Sequence, residues 1–97
     1  MTLMRHIRLA LADDHVVLRE GLAQILATYP GIEIAAQLSS ANDVIKYVSS
    51  NLIDCLILDL DLEDKSGIDV IKAIRRDNKK LPILVLSMHP ENLYAVR

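Results

Sequence analysis

Leu56-Ile57-Leu58-Asp59-Leu60-Asp61 is the stretch whose reading decides the fold. Three aliphatic residues in a row, too short a run for a helix, suit a strand buried on both faces of a parallel sheet. The run stops at Asp59, where the polar rim of the sheet begins. Downstream, Leu60 to Lys65 reads as a loop. Ser66 then stands three residues before Asp69, a cap-like helix start. Gly67, Val70, Ile71 and Ile74 follow on one face of that helix. Pro82 breaks the chain, and Ile83 to Leu86 forms a further apolar strand ending at Ser87. Pro90-Glu91 suits the first turn of another helix.

The same alternation holds upstream. Ile7 to Ala12 is an apolar run that ends in Asp13 and Asp14, with Arg8 marking an end near solvent. Leu18, Leu22, Ile25 and Leu26 fall on one face of a helix, which Pro30-Gly31 terminates. Ile32 to Leu38 reads as a strand. Ser40 and Asp43 repeat the cap-like spacing before a helix with Ala41, Val44, Ile45 and Val48 on its apolar face. The order is βαβαβαβ followed by the start of a helix. Strands separated by helices require a parallel sheet with right-handed crossovers, so the fold class is α/β.

Composition bounds the remaining choices. The chain has 97 residues, enough for one domain. It is 52% hydrophobic and 25% charged, as a core-forming chain should be, with no Trp or Phe. A net charge of -2 argues against sequence-independent nucleic-acid binding; the basic cluster from Arg75 to Lys80 reads as a solvated helix end. Cys55 is the single cysteine, so an intrachain disulfide is excluded, and it reads as a small buried hydrophobe. No apolar stretch is long enough to span a membrane, and the first residues lack the apolar core of a signal peptide. These features fit a soluble, cytoplasmic protein without a membrane partner.

In an open parallel sheet, ligands sit beyond the carboxyl ends of the strands. Those ends carry Asp13 and Asp14, then Asp59 and Asp61, then Ser87. Two carboxylates ~4 Å apart repel by about 4 kcal/mol at an effective dielectric near 20. A hard divalent cation such as Mg²⁺ removes that penalty. The same ion can neutralise charge during phosphoryl transfer, with a carboxylate as nucleophile. Asp61, Glu63 and Asp64 read, for their side chains, as solvated loop charges.

These residues resemble a known family. Ala12-Asp13-Asp14-His15 with Val17-Leu18-Arg19-Glu20-Gly21-Leu22 is similar to the opening of response-regulator receiver domains, especially the NarL/FixJ (LuxR-type) transcription factors. Leu56 to Leu60 with Ser66-Gly67 resembles the phosphoacceptor segment, and Leu84 to His89 the switch segment. Leu93 to Arg97 looks like the subfamily's next helix. The resemblance implies a doubly wound, CheY-like (flavodoxin-like) sheet of strand order 2-1-3-4-5. Residues 1–97 would then be one incomplete receiver, running from its first strand to the start of its fourth helix and lacking the fifth strand and last helix.

The resemblance also implies roles. Asp59 would be the phosphoacceptor. Asp14 and Asp59 would ligate Mg²⁺ directly, Asp13 through a water, and Asp61 through its backbone carbonyl. Ser87 would be the switch hydroxyl, with His89 and Tyr94 on the output side. A sensor histidine kinase, or a small phosphodonor, would supply the phosphoryl group, and the chain would form a homodimer. DNA would be reached only through a C-terminal helix-turn-helix domain not in this chain. The domain would be a switch rather than an enzyme. Two departures stand out. Glu63 takes the place of the usual loop proline, and the family's phosphate-pairing lysine has no match here. Two other readings compete. Asp59-Leu60-Asp61 resembles the Asp-x-Asp of haloacid-dehalogenase-type phosphatases, although Leu62-Glu63 replaces their usual Gly-Thr. The alternative is a receiver-like interaction module that is never phosphorylated.

Overall fold

The computed structural model describes residues 6–86. Seven elements follow in chain order: β1 (Ile7–Ala12), α1 (Val16–Ala27), β2 (Ile32–Leu38), α2 (Ala41–Ser50), β3 (Cys55–Asp59), α3 (Gly67–Asp77) and β4 (Ile83–Leu86). All strand pairings are parallel, and the order across the sheet is β2-β1-β3-β4. This is the expected doubly wound α/β arrangement, with the order 2-1-3-4 among the described residues. Ser87, His89, Tyr94 and the helix expected from Pro90 lie outside them.

Alternation along the two central strands builds two cores. Ala10, Ala12, Leu56 and Leu58 face one side and meet Ala41 and Val44 of α2 and Val70 and Ile74 of α3. Leu9, Leu11 and Ile57 face the other side and meet Ala23 of α1. The small alanines of β1 sit beside large neighbours: Ala10 pairs with Leu56 and Ala12 with Leu58. The small alanines leave room for these leucines in the layer under α2 and α3.

Helix α1 departs from the expected face. Leu22 and Leu26 pack inward with Ala23, while Leu18 and Ile25 are exposed. The inward stripe centres on Ala23, a residue too small to register in a reading that weighs large aliphatics. Cys55 is half-buried against this same core, and burial pushes its thiol pKa up. Arg8 ends in solvent as expected, its guanidinium 2.7 Å from Glu33. Arg75 and Arg76 occupy the last turn of α3, where cations complement the helix dipole.

Both cap-like spacings are real caps. Ser40 Oγ accepts from the Asp43 amide at 3.2 Å, and Ser66 Oγ from the Asp69 amide at 3.4 Å. Gly31, at φ 91°, makes the turn from α1 into β2 in a backbone region that favours glycine. Gly67 is needed for closeness instead. A Cβ there would lie 2.7 Å from Leu60 Cα and 3.0 Å from the Asp59 carbonyl oxygen. The start of α3 thus rests on the backbone that follows β3. Gly67→Ala is expected to cost about 1–3 kcal/mol by forcing these backbones apart. Urea denaturation checks this, and an unchanged midpoint would show that the loop yields freely.

Candidate functional site

The site is set by strand register. Leu58 pairs with Ala12, so Asp13 and Asp59 both emerge at the carboxyl edge of the two central strands. Both are buried: Asp13 is 6% exposed and Asp59 4%. Asp14, next along the chain, is partly buried, and its Oδ1 is sealed from solvent with no hydrogen-bond partner. Among the described residues, Asp13, Asp14, His15 and Asp59 offer ligand atoms that all lie within 4.8 Å of one another. The structure therefore brings together the carboxylates of three of the four aspartates singled out from sequence, Asp13, Asp14 and Asp59.

Each carboxylate is held from its backbone side. Asp13 donates its amide to the Leu38 carbonyl of β2 at 3.0 Å. Its own carbonyl accepts from Arg19 Nη1 at 2.8 Å, while Arg19 Nε reaches Gln37 Oε1 at 3.2 Å. Arg19 so straps α1 to the end of β1 and to β2. Asp59 Oδ1 accepts from the Asp61 amide at 3.1 Å. Asp61 has an exposed side chain, and its backbone sits at the rim through an isolated bridge with Ser66.

The electrostatics match the geometry. Burial raises the Asp59 pKa above the ordinary carboxylate value, and the Asp13 charge raises it further against the opposing Asp61 amide. The His15 pKa is also raised, first by its hydrogen bond to Asp13 and then by the Asp14 charge. Its Nδ1 lies 3.1 Å from Asp13 Oδ1, 3.1 Å from Asp14 Oδ1 and 3.8 Å from Asp59 Oδ2. Anion crowding of this kind calls for a cation, and the unpartnered Asp14 Oδ1 is an acceptor that an ion would satisfy. The residues present fit Mg²⁺.

Sequence reading missed two participants. His15 carried a signal in following Asp13-Asp14 directly, although nothing in the spacing shows which way its ring turns. Asp64 was read as a solvated charge. It is exposed, yet its Oδ1 accepts from the Ala41 amide at 2.7 Å and its Oδ2 from the Asn42 amide at 3.1 Å. These bonds hold its pKa below the usual carboxylate value, the Ala41 amide contributing most. With Ser40 taking Asp43 and Val44, the first four amides of α2 are all satisfied. The loop between β3 and α3 is thereby tethered to α2. Buried Leu62 and the 2.8 Å bond from the Gly67 amide to the Leu60 carbonyl add two more anchors. Glu63, at the usual proline position, sits exposed in a loop already restrained on both sides.

A parallel doubly wound sheet with clustered carboxylates at its carboxyl edge defines a flavodoxin-like α/β domain with an acidic rim. Residues 9–97 match the response regulator receiver domain, and the chain belongs to that family. The response regulator UvrY of Escherichia coli (strain K12) is 29% identical over 86 residues, which cover 89% of this chain and 39% of UvrY. A LuxR-family two-component response regulator from Aurantimonas sp. SI85-9A1 superposes with a TM-score of 0.82 at 28% identity, covering 87% of this chain and 60% of that one. RcsB from Salmonella enterica serovar Typhimurium, solved bound to a promoter with the phosphomimetic BeF3-, gives a TM-score of 0.80 at 25% identity over 88% of this chain and 43% of that chain. The chain thus spans well under half the length of UvrY and corresponds to receiver domains of two-component, LuxR-type regulators.

The raised Asp59 pKa has a consequence for stability. Between its unfolded and raised folded pKa the folded protein retains a proton that the unfolded chain has released, so stability falls with rising pH across that window, and the ionised, buried Asp59 is destabilising above it. Without metal near pH 7, Asp59→Asn is expected to raise the thermal midpoint by a few degrees, the size that ~1 kcal/mol gives in a small domain. Thermal scans across pH check this. The gap should close as pH falls below the carboxylate range, and a gap that ignores pH would remove charge repulsion as its cause.

Proposed function

We propose that this chain is a phospho-accepting receiver in which Asp59 takes a phosphoryl group from a sensor histidine kinase. The observation that carries the reading is the placement of Asp59: buried at the end of a central strand, with the carboxylates of Asp13 and Asp14 gathered beside it. In this reading residues 1–97 belong to a single receiver domain. Asp14 and Asp59 would hold Mg²⁺ directly, Asp13 would help through a water, and the Asp61 carbonyl would supply a further oxygen. The ion, when bound, neutralises charge on the phosphoryl oxygens during transfer.

The chemistry asked of the protein is modest. An Asp59 carboxylate oxygen attacks phosphorus, the bond from phosphorus to the donor's imidazole nitrogen breaks, and the freed imidazole takes up a proton. The Asp61 amide, bonded to Asp59 Oδ1 at 3.1 Å, orients the carboxylate so that its other oxygen faces the rim. Burial raises the energy of the bare anion and favours its capture by a cation. Ser87 follows the new group and shifts the adjacent backbone, biasing a two-state element. That element begins next to β4, whose Leu86 carbonyl accepts from the Leu60 amide at 3.2 Å. The output is transcriptional control by a homodimer in the cytoplasm, acting through a helix-turn-helix domain. This part of the reading is supported by the likeness to DNA-bound RcsB.

Incubation with a small phosphodonor and Mg²⁺ tests the proposal by intact-mass measurement of an acyl phosphate. Wild type is expected to gain one hydroxylamine-labile phosphoryl group, and Asp59→Asn none. Labelling that survives in Asp59→Asn would move the acceptor elsewhere. A wild-type protein that binds Mg²⁺ but never labels would make the domain an unphosphorylated interaction module.

A further inference from the structure

The loop between β3 and α3 carries Asp61, whose amide donates to Asp59 Oδ1 at 3.1 Å. Whatever holds that loop therefore helps to hold the Asp59 carboxylate. The ends of the loop are fixed near the sheet. The Leu60 amide donates to the Leu86 carbonyl at 3.2 Å, the Gly67 amide donates to the Leu60 carbonyl at 2.8 Å, and Asp61 bridges to Ser66. The tip, Glu63 to Lys65, is exposed. Exposed loop backbone keeps one conformation only where something ties it down. Buried Leu62 is one tie, and the Asp64 carboxylate is another.

Each oxygen of Asp64 takes a different amide of α2. Oδ1 accepts from Ala41 at 2.7 Å and Oδ2 from Asn42 at 3.1 Å. Both amides belong to the positive end of the helix, where an ionised acceptor makes a stronger bond than a neutral one. Helix α2 also has a cap of its own. Ser40 Oγ accepts from the Asp43 amide, and the Ser40 carbonyl accepts from the Val44 amide. The second cap ties residue 64 to a point 23 residues earlier in the chain. Asp64 lies three residues beyond Asp61, so fixing the tip limits how far the Asp61 backbone can swing away from Asp59.

We propose that Asp64 is a positioning residue for phosphorylation: its carboxylate ties the loop to the start of α2 and so keeps the Asp61 amide on Asp59, which sets the rate of phosphoryl capture. The inference rests on the phosphoacceptor reading above and adds a contact outside the acidic rim that governs it. Asp64 is not one of the clustered rim carboxylates. It acts through loop backbone, and a small misplacement of a reacting group costs rate out of proportion to its cost in stability.

The rate is read by intact mass over time, with the intact protein, acetyl phosphate and excess Mg²⁺. Asp64→Ala is expected to slow labelling on the order of tenfold. Asp64→Asn keeps an oxygen for the Ala41 amide and should recover part of that loss. The side chain is exposed, so both variants are compatible with folding. Ser40→Ala is the control for helix stability, because it removes a cap from the same helix end without touching the loop. It should lower the urea midpoint, as Asp64→Ala does, and leave the labelling rate at the wild-type value. An Asp64→Ala rate equal to wild type, no recovery in Asp64→Asn, or a Ser40→Ala rate as slow as that of Asp64→Ala would overturn the role of Asp64 while Asp59 remains the acceptor. If wild type gains no phosphoryl group, the phosphoacceptor reading fails and this inference fails with it.

Discussion

Ala12 pairs with Leu58 across the two central strands, and the site depends on that register. One residue beyond the pair, Asp13 and Asp59 leave the sheet at the same edge. A slip of one residue would turn the alternating core residues of β1 to the wrong faces. The cores on both sides of the sheet therefore enforce the register that crowds the carboxylates. Burying like charges costs free energy that the packing of Leu56, Leu58, Val44 and Val70 must offset. The domain holds an unfavourable cluster because its favourable core gives the chain no other way to fold.

The surroundings of the cluster restrain backbone more than side chains. Arg19 binds the carbonyl of Asp13, β2 binds its amide, and the Asp61 amide binds Asp59 Oδ1. Asp64 reaches across to the amides that open α2, and Gly67 lets α3 begin against Leu60. Two helices are thus tied to the loop that follows β3. Negative charge is kept in place by fixing the chain on either side of it, and the carboxylate oxygens themselves stay turned to the rim.

Much of this was legible in sequence because it rests on periodicity and on chain ends. The strand bounds of β1, β2 and β4, the Ser40 and Ser66 caps and the acids after the strands are local features, and the structure reproduces them. What stayed hidden depends on contacts between distant segments. Asp64 serves a helix that starts 23 residues earlier, and no local pattern announces such a bond. The inward face of α1 turns on Ala23, whose size conceals its burial. His15 lies beside the acids in sequence, but its ring direction follows from the turn its amide makes with Asp13.

Charge balance at the rim links these features to switching. Asp13, Asp14 and Asp59 are carboxylates in mutual reach, so a dication leaves the group with a residual negative charge. Converting a carboxylate to an acyl phosphate adds to that charge. Among the described residues, the basic groups against the rim are His15, within 3.8 Å of all three acids, and Arg19, committed to the Asp13 carbonyl. Arg19 cannot follow a new phosphoryl group without releasing the strap it forms. His15 can, because its ring is largely exposed and only its Nδ1 edge is engaged. The added charge must then be met by His15 or by donors arriving from beyond β4.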